Sequence, residues 1–219
     1  MPSSRNAIQC GVIAALSLFA SCLPYTVGST AQPVAPGEVR RSATVYVIPN
    51  AIDVLGDSAS GAIRGLDVEA RWGVTPDMDL GVRIPSASGV VVNAKHRVRG
   101  GRDESDAALA VMPGLGFVNW GQHAHFELSL LASGATRRQL TPYGGLRVMQ
   151  VAPMSRGAAH DAPTAGAFFG LRIGNANLGI SPEIGVFHDR SALELRKRKV
   201  IYVPAITVHG DDLMRIFGF

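Results

Sequence analysis

From about residue 42 onward, apolar and polar side chains alternate with period two. That is the mark of strands whose two faces meet different surroundings. Residues 66–72 show it most plainly: Leu66, Val68, Ala70 and Trp72 share one face, while Asp67, Glu69 and Arg71 share the other. A turn at Thr75, Pro76 and Asp77 follows, built of residues that favour chain reversal. Met78, Leu80, Val82 and Ile84 then alternate with Asp79, Gly81 and Arg83, and Val90, Val92, Ala94 and Val98 with Asn93, Lys95, Arg97 and Arg99. His96 is the one polar residue on that apolar face. Further alternating runs centre on Leu115, Leu128, Leu146, Leu171, Ile184 and Ile206, and their polar faces carry His125, Glu127, Arg147, Arg172 and Glu183. With a first strand near 43–48, the pattern predicts about ten strands and no convincing helix.

The connections differ in length. Those at 75–77 and 174–176 read as tight, and those at 51–62, 151–165 and 189–199 as long. Short turns on one side and long loops on the other suit an up-and-down barrel, although 100–106 and 133–139 are long for the turn side. A loose repeat also runs through the strands. Pro113, Pro142 and Pro182 each precede a Gly by three residues, and Pro204 precedes Thr207 in the same way. The prolines fall on the apolar face, where each removes one ladder donor.

Composition narrows the class. The chain has 219 residues, of which 47% are hydrophobic and 17% charged, with 25 glycines and a net charge of +4. The cations are dispersed and not interleaved with aromatics, which argues against nucleic acid as a partner. Beyond the N-terminus no apolar run approaches the ~20 residues of a spanning helix. Any membrane-embedded form must therefore be a closed barrel. The fold expected is all-β, an up-and-down antiparallel β-barrel of about ten strands. The domain layout expected is a signal peptide at 1–21, a flexible tether at 22–41, the barrel at 42–209 and a C-terminal tail at 210–219.

The N-terminus reads as an export signal. Arg5 is its only charge, and residues 10–20 form an apolar run of the length of a signal h-region rather than a membrane span. Cys10 and Cys22 are the only cysteines, so the body has neither a disulfide nor a cysteine metal site. Phe19-Ala20-Ser21-Cys22 resembles the lipobox of bacterial lipoproteins, with Phe19 departing from the usual Leu. The resemblance implies lipidation of Cys22, and Leu23 beside it suits sorting to the outer membrane. An ordinary cleavage after Ala20 or near Ala31 is the alternative. Residues 23–42 are rich in Pro, Gly, Ser and Thr, and read as a tether.

The body resembles the small outer-membrane barrels of Gram-negative bacteria, most clearly in the strand-turn-strand stretch from Ala70 to Ile84. The resemblance implies an outer-membrane location, with membrane lipid as partner. Lipopolysaccharide phosphates are a candidate partner for the basic run Arg196-Lys197-Arg198-Lys199.

The polar face would then line the lumen with Asp67, Glu69, Arg71, Asp79, Arg83, Lys95, Arg97, Glu127, Arg147, Arg172 and Glu183, and with Arg99 beside them. This set suits either a polar passage or a salt-bridged plug. The plug is the preferred reading, because narrow barrels are filled by their own side chains. Aromatics are only 6% of the chain, thin for two interfacial girdles. A second reading keeps the fold but inverts the faces: a lipid-tethered periplasmic soluble barrel binding an apolar ligand. Neither a metal nor another cofactor is expected. His123 and His125 point to opposite faces of a strand or lie in a loop, with no third ligand evident, and loop histidines are the preferred reading. No nucleophile or carboxylate pair supports an enzyme built on His209 and Asp211 or Asp212.

Overall fold

A computed structural model describes residues 23–53, 60–103, 105–155, 162–175, 178–188 and 200–210, without side chains at 50–53, 60 and 61. The signal region with Cys22, the run 196–199, His160, Asp211 and Asp212 lie outside the described residues.

The alternating stretches form ten strands: β1 (Val39–Asp53), β2 (Ser60–Thr75), β3 (Met78–Pro85), β4 (Val90–Gly100), β5 (Ala108–Val118), β6 (His123–Ser133), β7 (Leu140–Pro153), β8 (Thr164–Gly174), β9 (Gly179–His188) and β10 (Val200–His209). Each pairs antiparallel with its neighbours in sequence. β1 also pairs with β10, from Ser42 opposite His209 to Tyr46 opposite Ala205, and so closes the barrel. Closure removes the unpaired edges that an open sheet would present.

The barrel has two distinct ends. β1 begins and β10 finishes at one of them, together with the connections 76–77, 101–107, 134–139 and 175–178. We call this the turn end. The connections 54–59, 86–89, 119–122, 154–163 and 189–199 lie at the other, the loop end.

The apolar face points outward. Leu115 and Phe169 are 63% and 61% exposed, whereas Lys95 and Arg147 on the inner face are 1% exposed. β9 alternates buried and exposed without exception along its ten residues. This is the inverse of a soluble barrel, and it removes the basis for an apolar ligand cavity. The four prolines also face outward. Two inward tyrosines lie over glycines on the facing strand. The Tyr46 ring occupies the place of a side chain on Gly65, its register partner, and Tyr143 does the same at Gly170.

Three expectations need correction. Residues 23–34 are not a tether outside the barrel, because Tyr25, Thr26, Val27, Ala31, Gln32 and Val34 are buried within it. Arg99 is exposed rather than luminal, since the β4–β5 register slips between Arg97 and Arg99. His125 is not in a loop. It lies on β6, fully buried and facing inward, with His123 on the same strand, because residues two apart in a strand share a face.

Candidate functional site: the occupied lumen

An extended strap, residues 23–35, runs through the lumen from end to end. Leu23 packs at the loop end against Val91, Val118 and Val151, which adjoin the connections 86–89, 119–122 and 154–163. Tyr46 donates its hydroxyl to the Leu23 carbonyl at 2.8 Å. Tyr25 meets Phe187 edge-to-face, with ring centroids 5.7 Å apart. At the turn end, Gln32 Nε2 donates to the carbonyls of Asp103 and Asp106, each at 3.0 Å. The chain then reverses at Gly37, where φ is 80° and Glu38 N donates to Ala35 O. β1 begins at Val39 and heads back toward the loop end.

An irregular strand inside a barrel has no ladder to satisfy its peptide groups, and buried ones must be paired. Here the charged side chains of the wall take that role. Glu183 accepts from Val27 N at 2.9 Å and from Gly28 N at 2.8 Å, and also from the Tyr143 hydroxyl at 3.0 Å. Asp79 accepts from Val34 N at 2.8 Å. Arg83 and Arg147 both donate to Thr26 O, at 2.7 and 2.6 Å. The Lys95 ammonium donates to Ser29 Oγ, Thr30 O and Gln32 O, at 2.8, 3.0 and 2.9 Å. Arg97 reaches Gln32 Oε1 at 2.8 Å. These are charge-assisted bonds in a site shielded from water, about twice as strong as neutral ones.

The same side chains also pair with one another. Glu69 lies between Arg71 at 2.7 Å and Arg83 at 3.0 Å, and accepts from Asn93 at 3.1 Å. Arg71 bridges to Asp79, which faces Lys95 at 3.6 Å. Glu127 pairs with Arg147 and with His125 Nε2, the latter at 3.0 Å. Asp67 is the exception: it is buried, yet neither of its carboxylate oxygens accepts a well-formed hydrogen bond. Arg172 is only half-buried and bonds the Asn175 carbonyl at 3.0 Å.

At the turn end, outside the strands, Asp77 is bonded by Arg97 and bridged by Arg102 at 3.2 Å. The Arg97 hydrogen bond is the main reason its carboxyl titrates below the usual range, with the Arg102 charge adding to it.

The sequence-derived lumen charges therefore come together, with the strap as a partner the sequence did not reveal. Between the strap and the wall beside Arg71, Lys95 and His209 remains a cavity of about 30 Å3, room for a water or two. Below it, toward the turn end, a wider vestibule of about 240 Å3 is lined by Arg40, Arg172, Gln139 and Thr141 among others. His209 Nε2 and Ser181 Oγ lie 2.9 Å apart, a buried pair that sequence reasoning also missed. Among the described residues no carboxylate bonds that histidine, and no cluster of ligand-type side chains could hold a metal.

No protein-family model matches the chain, and no curated protein does. Solved structures do resemble it. An outer membrane channel from Pseudomonas putida F1 superposes with a TM-score of 0.53 at 10% identity, over 84% of this chain and 99% of that one. The translocator domain of the autotransporter NalP from Neisseria meningitidis gives 0.41 at 12% identity, over 94% and 95%. Neisserial surface protein A gives 0.37 at 12% identity, over 78% and 95%. The first of these supports the barrel fold; the other two superpose too loosely to add to it.

Proposed function

We propose that this chain is an outer-membrane β-barrel that is lipidated on Cys22, closed by its own N-terminal strap, and structural or only narrowly permeable in role. The observation that carries the reading is the inverted alternation. A predominantly apolar exterior around a charged interior, interrupted at positions such as Arg64 and His96, is stable in a bilayer and is a liability in water. The export-type N-terminus agrees with it. The outside connections of such barrels are longer than the periplasmic ones. Here the two longest, 154–163 and 189–199, join strands at the loop end, while 86–89 and 119–122 there are short. On the strength of the two longest, the turn end is assigned to the periplasm and the loop end to the exterior. Membrane lipid is then the obligatory partner. Lipopolysaccharide phosphates are the partner proposed for Arg196, Lys197, Arg198 and Lys199, which belong to the loop-end connection 189–199. No catalytic role is assigned to the Ser181–His209 pair.

Carbonate extraction of envelope fractions, with a gel comparing heated and unheated samples, tests the reading. Retention in the membrane with a heat-dependent change in mobility is the expected outcome. Release by carbonate with a single mobility overturns it.

A further inference from the structure

We infer that the polypeptide preceding Leu23 leaves the barrel at its loop end, so that the N-terminus of the exported protein, with whatever it carries, is presented at the outer surface of the cell. This rests on the outer-membrane reading for the direction of the two ends. The threading itself rests on the contacts of the strap.

Three levels fix that direction. At the loop end Leu23 lies among Val91, Val118 and Val151, each within three residues of the strand end beside a loop-end connection. At mid-barrel Val27 and Gly28 are held by Glu183, and Thr26 by Arg83 and Arg147. At the turn end Gln32 bonds the 101–107 connection, and Pro36 bridges Gly73 next to the 76–77 turn. The order along the chain is the order along the barrel axis. The strap's contacts at both ends carry the crossing of the ~25 Å apolar band of an outer-membrane barrel. Its thirteen residues would reach at most roughly 40 Å at ~3.3 Å each if fully extended, and the Tyr25 N–Leu23 O turn and the left-handed Gly28 shorten that. The strap therefore crosses the whole membrane inside the wall, and β1 recrosses it within the wall.

Residue 22 is one peptide unit, about 3.8 Å between Cα atoms, from Leu23. It cannot reach the turn end without unthreading the strap. The strap is also tightly fitted along its path. Gly28 presses on Thr207, and a β-carbon on Gly73 would fall against the carbonyls of Val34 and Ala35. A tether of the ordinary kind would leave the N-terminus on the periplasmic side with the start of β1. Here the same residues turn the N-terminus outward. A lipid on Cys22 would accordingly sit on the outer-leaflet side rather than the inner.

The experiment is epitope accessibility on intact cells. One short epitope is inserted between Cys22 and Leu23, a second within 189–199, and a third within 102–106, each in the full-length chain. The first two are expected to bind antibody on intact cells at comparable levels, with the third at least tenfold lower until the outer membrane is permeabilised. An N-terminal epitope that behaves like the third while the second is accessible overturns the inference and leaves the outer-membrane reading standing. If none binds on intact cells, the outer-membrane reading fails and the inference with it. Should the N-terminal insertion prevent folding, judged by heat-dependent mobility, single cysteines replace it. Leu23→Cys should react with a membrane-impermeant maleimide on intact cells and Glu38→Cys should not, both in a Cys22→Ser background. The reverse pattern overturns the inference.

Discussion

Gly28 lies against Thr207 so closely that a β-carbon on Gly28 would come within 3.1 Å of Thr207 Cβ and nearer still to its hydroxyl oxygen. Its φ of 61° also belongs to the left-handed region that a branched side chain avoids. Space and backbone therefore both demand glycine at this point of the strap. Gly28→Val should expel the strap locally and leave the wall intact. Limited proteolysis should then cut near residues 26–30 in a protein that still shows heat-dependent mobility. Protection equal to wild type would mean that the strap does not depend on this contact.

Asp67 and Glu69 are neighbours on the same inner face and should answer substitution in opposite ways. Glu69 holds Arg71, Arg83 and Asn93. Glu69→Gln leaves two buried guanidinium groups short of their partner, at a cost on the order of 3 kcal/mol. Asp67 receives no well-formed hydrogen bond; around it lie the more distant charges of Arg83 and Arg147, the like charge of Glu69 and the backbone of Ser86. Asp67→Asn removes a poorly solvated charge and should change stability by less than about 1 kcal/mol. The midpoint of the heat-dependent mobility shift reads both. A larger loss for Asp67→Asn than for Glu69→Gln would contradict the pairing described.

The barrel was legible because alternation reports directly on which face meets which medium. The polar face of Asp67, Glu69 and Arg71 was assigned correctly for that reason, and ten strands followed from counting such runs. The strap was not legible. Residues 23–37 have no period, and their Pro, Gly, Ser and Thr content is that of a linker. What orders them is long-range: peptide groups of Thr26, Val27, Gly28 and Val34 matched to side chains on β3, β7 and β9. The signal lay in the charges themselves. Among the described residues Glu183 bonds no basic side chain, only strap amides and Tyr143. Opposite-sign bookkeeping in the sequence treats such a residue as one member of a mutual pair.

Outward substitutions should be penalised by depth. Leu128 sits at the middle of β6 and is 48% exposed. Leu128→Arg should cost roughly 2–4 kcal/mol near the bilayer midplane, and Leu128→Phe should be mild. Gly81 offers no neutral inner-face control, since a β-carbon there would sit 2.7 Å from Arg71 and from Asn93. Urea titration in detergent or bilayers checks the difference. Equal stability of Leu128→Arg and wild type would show that this face does not meet lipid.

Lipidation has a direct assay. Labelled palmitate should enter the wild-type protein and not Cys22→Ala. Equal labelling of the two would rule the anchor out, and the strap would then carry a free N-terminus.

The last prediction concerns permeation. Ten strands enclose little space beyond their own side chains, and here the strap occupies that space as well; the vestibule of about 240 Å3 at the turn end narrows to about 30 Å3 beside Arg71 and Lys95. Wild-type protein in planar bilayers should therefore show at most a small, noisy conductance. Glu183→Ala removes the acceptor for both Val27 N and Gly28 N, and these amides have no ladder partner to fall back on. The strap should disengage at mid-barrel, and conductance should rise severalfold. The charges left facing the opened space are Arg71, Arg83, Lys95, Arg97, Arg147 and the half-buried Arg172, against Asp67, Glu69, Asp79 and Glu127. A modest preference for anions follows, and neutralising Arg97 and Arg147 in the same background should diminish it. A large, stable, cation-selective conductance in the wild type would be incompatible with a lumen filled in this way.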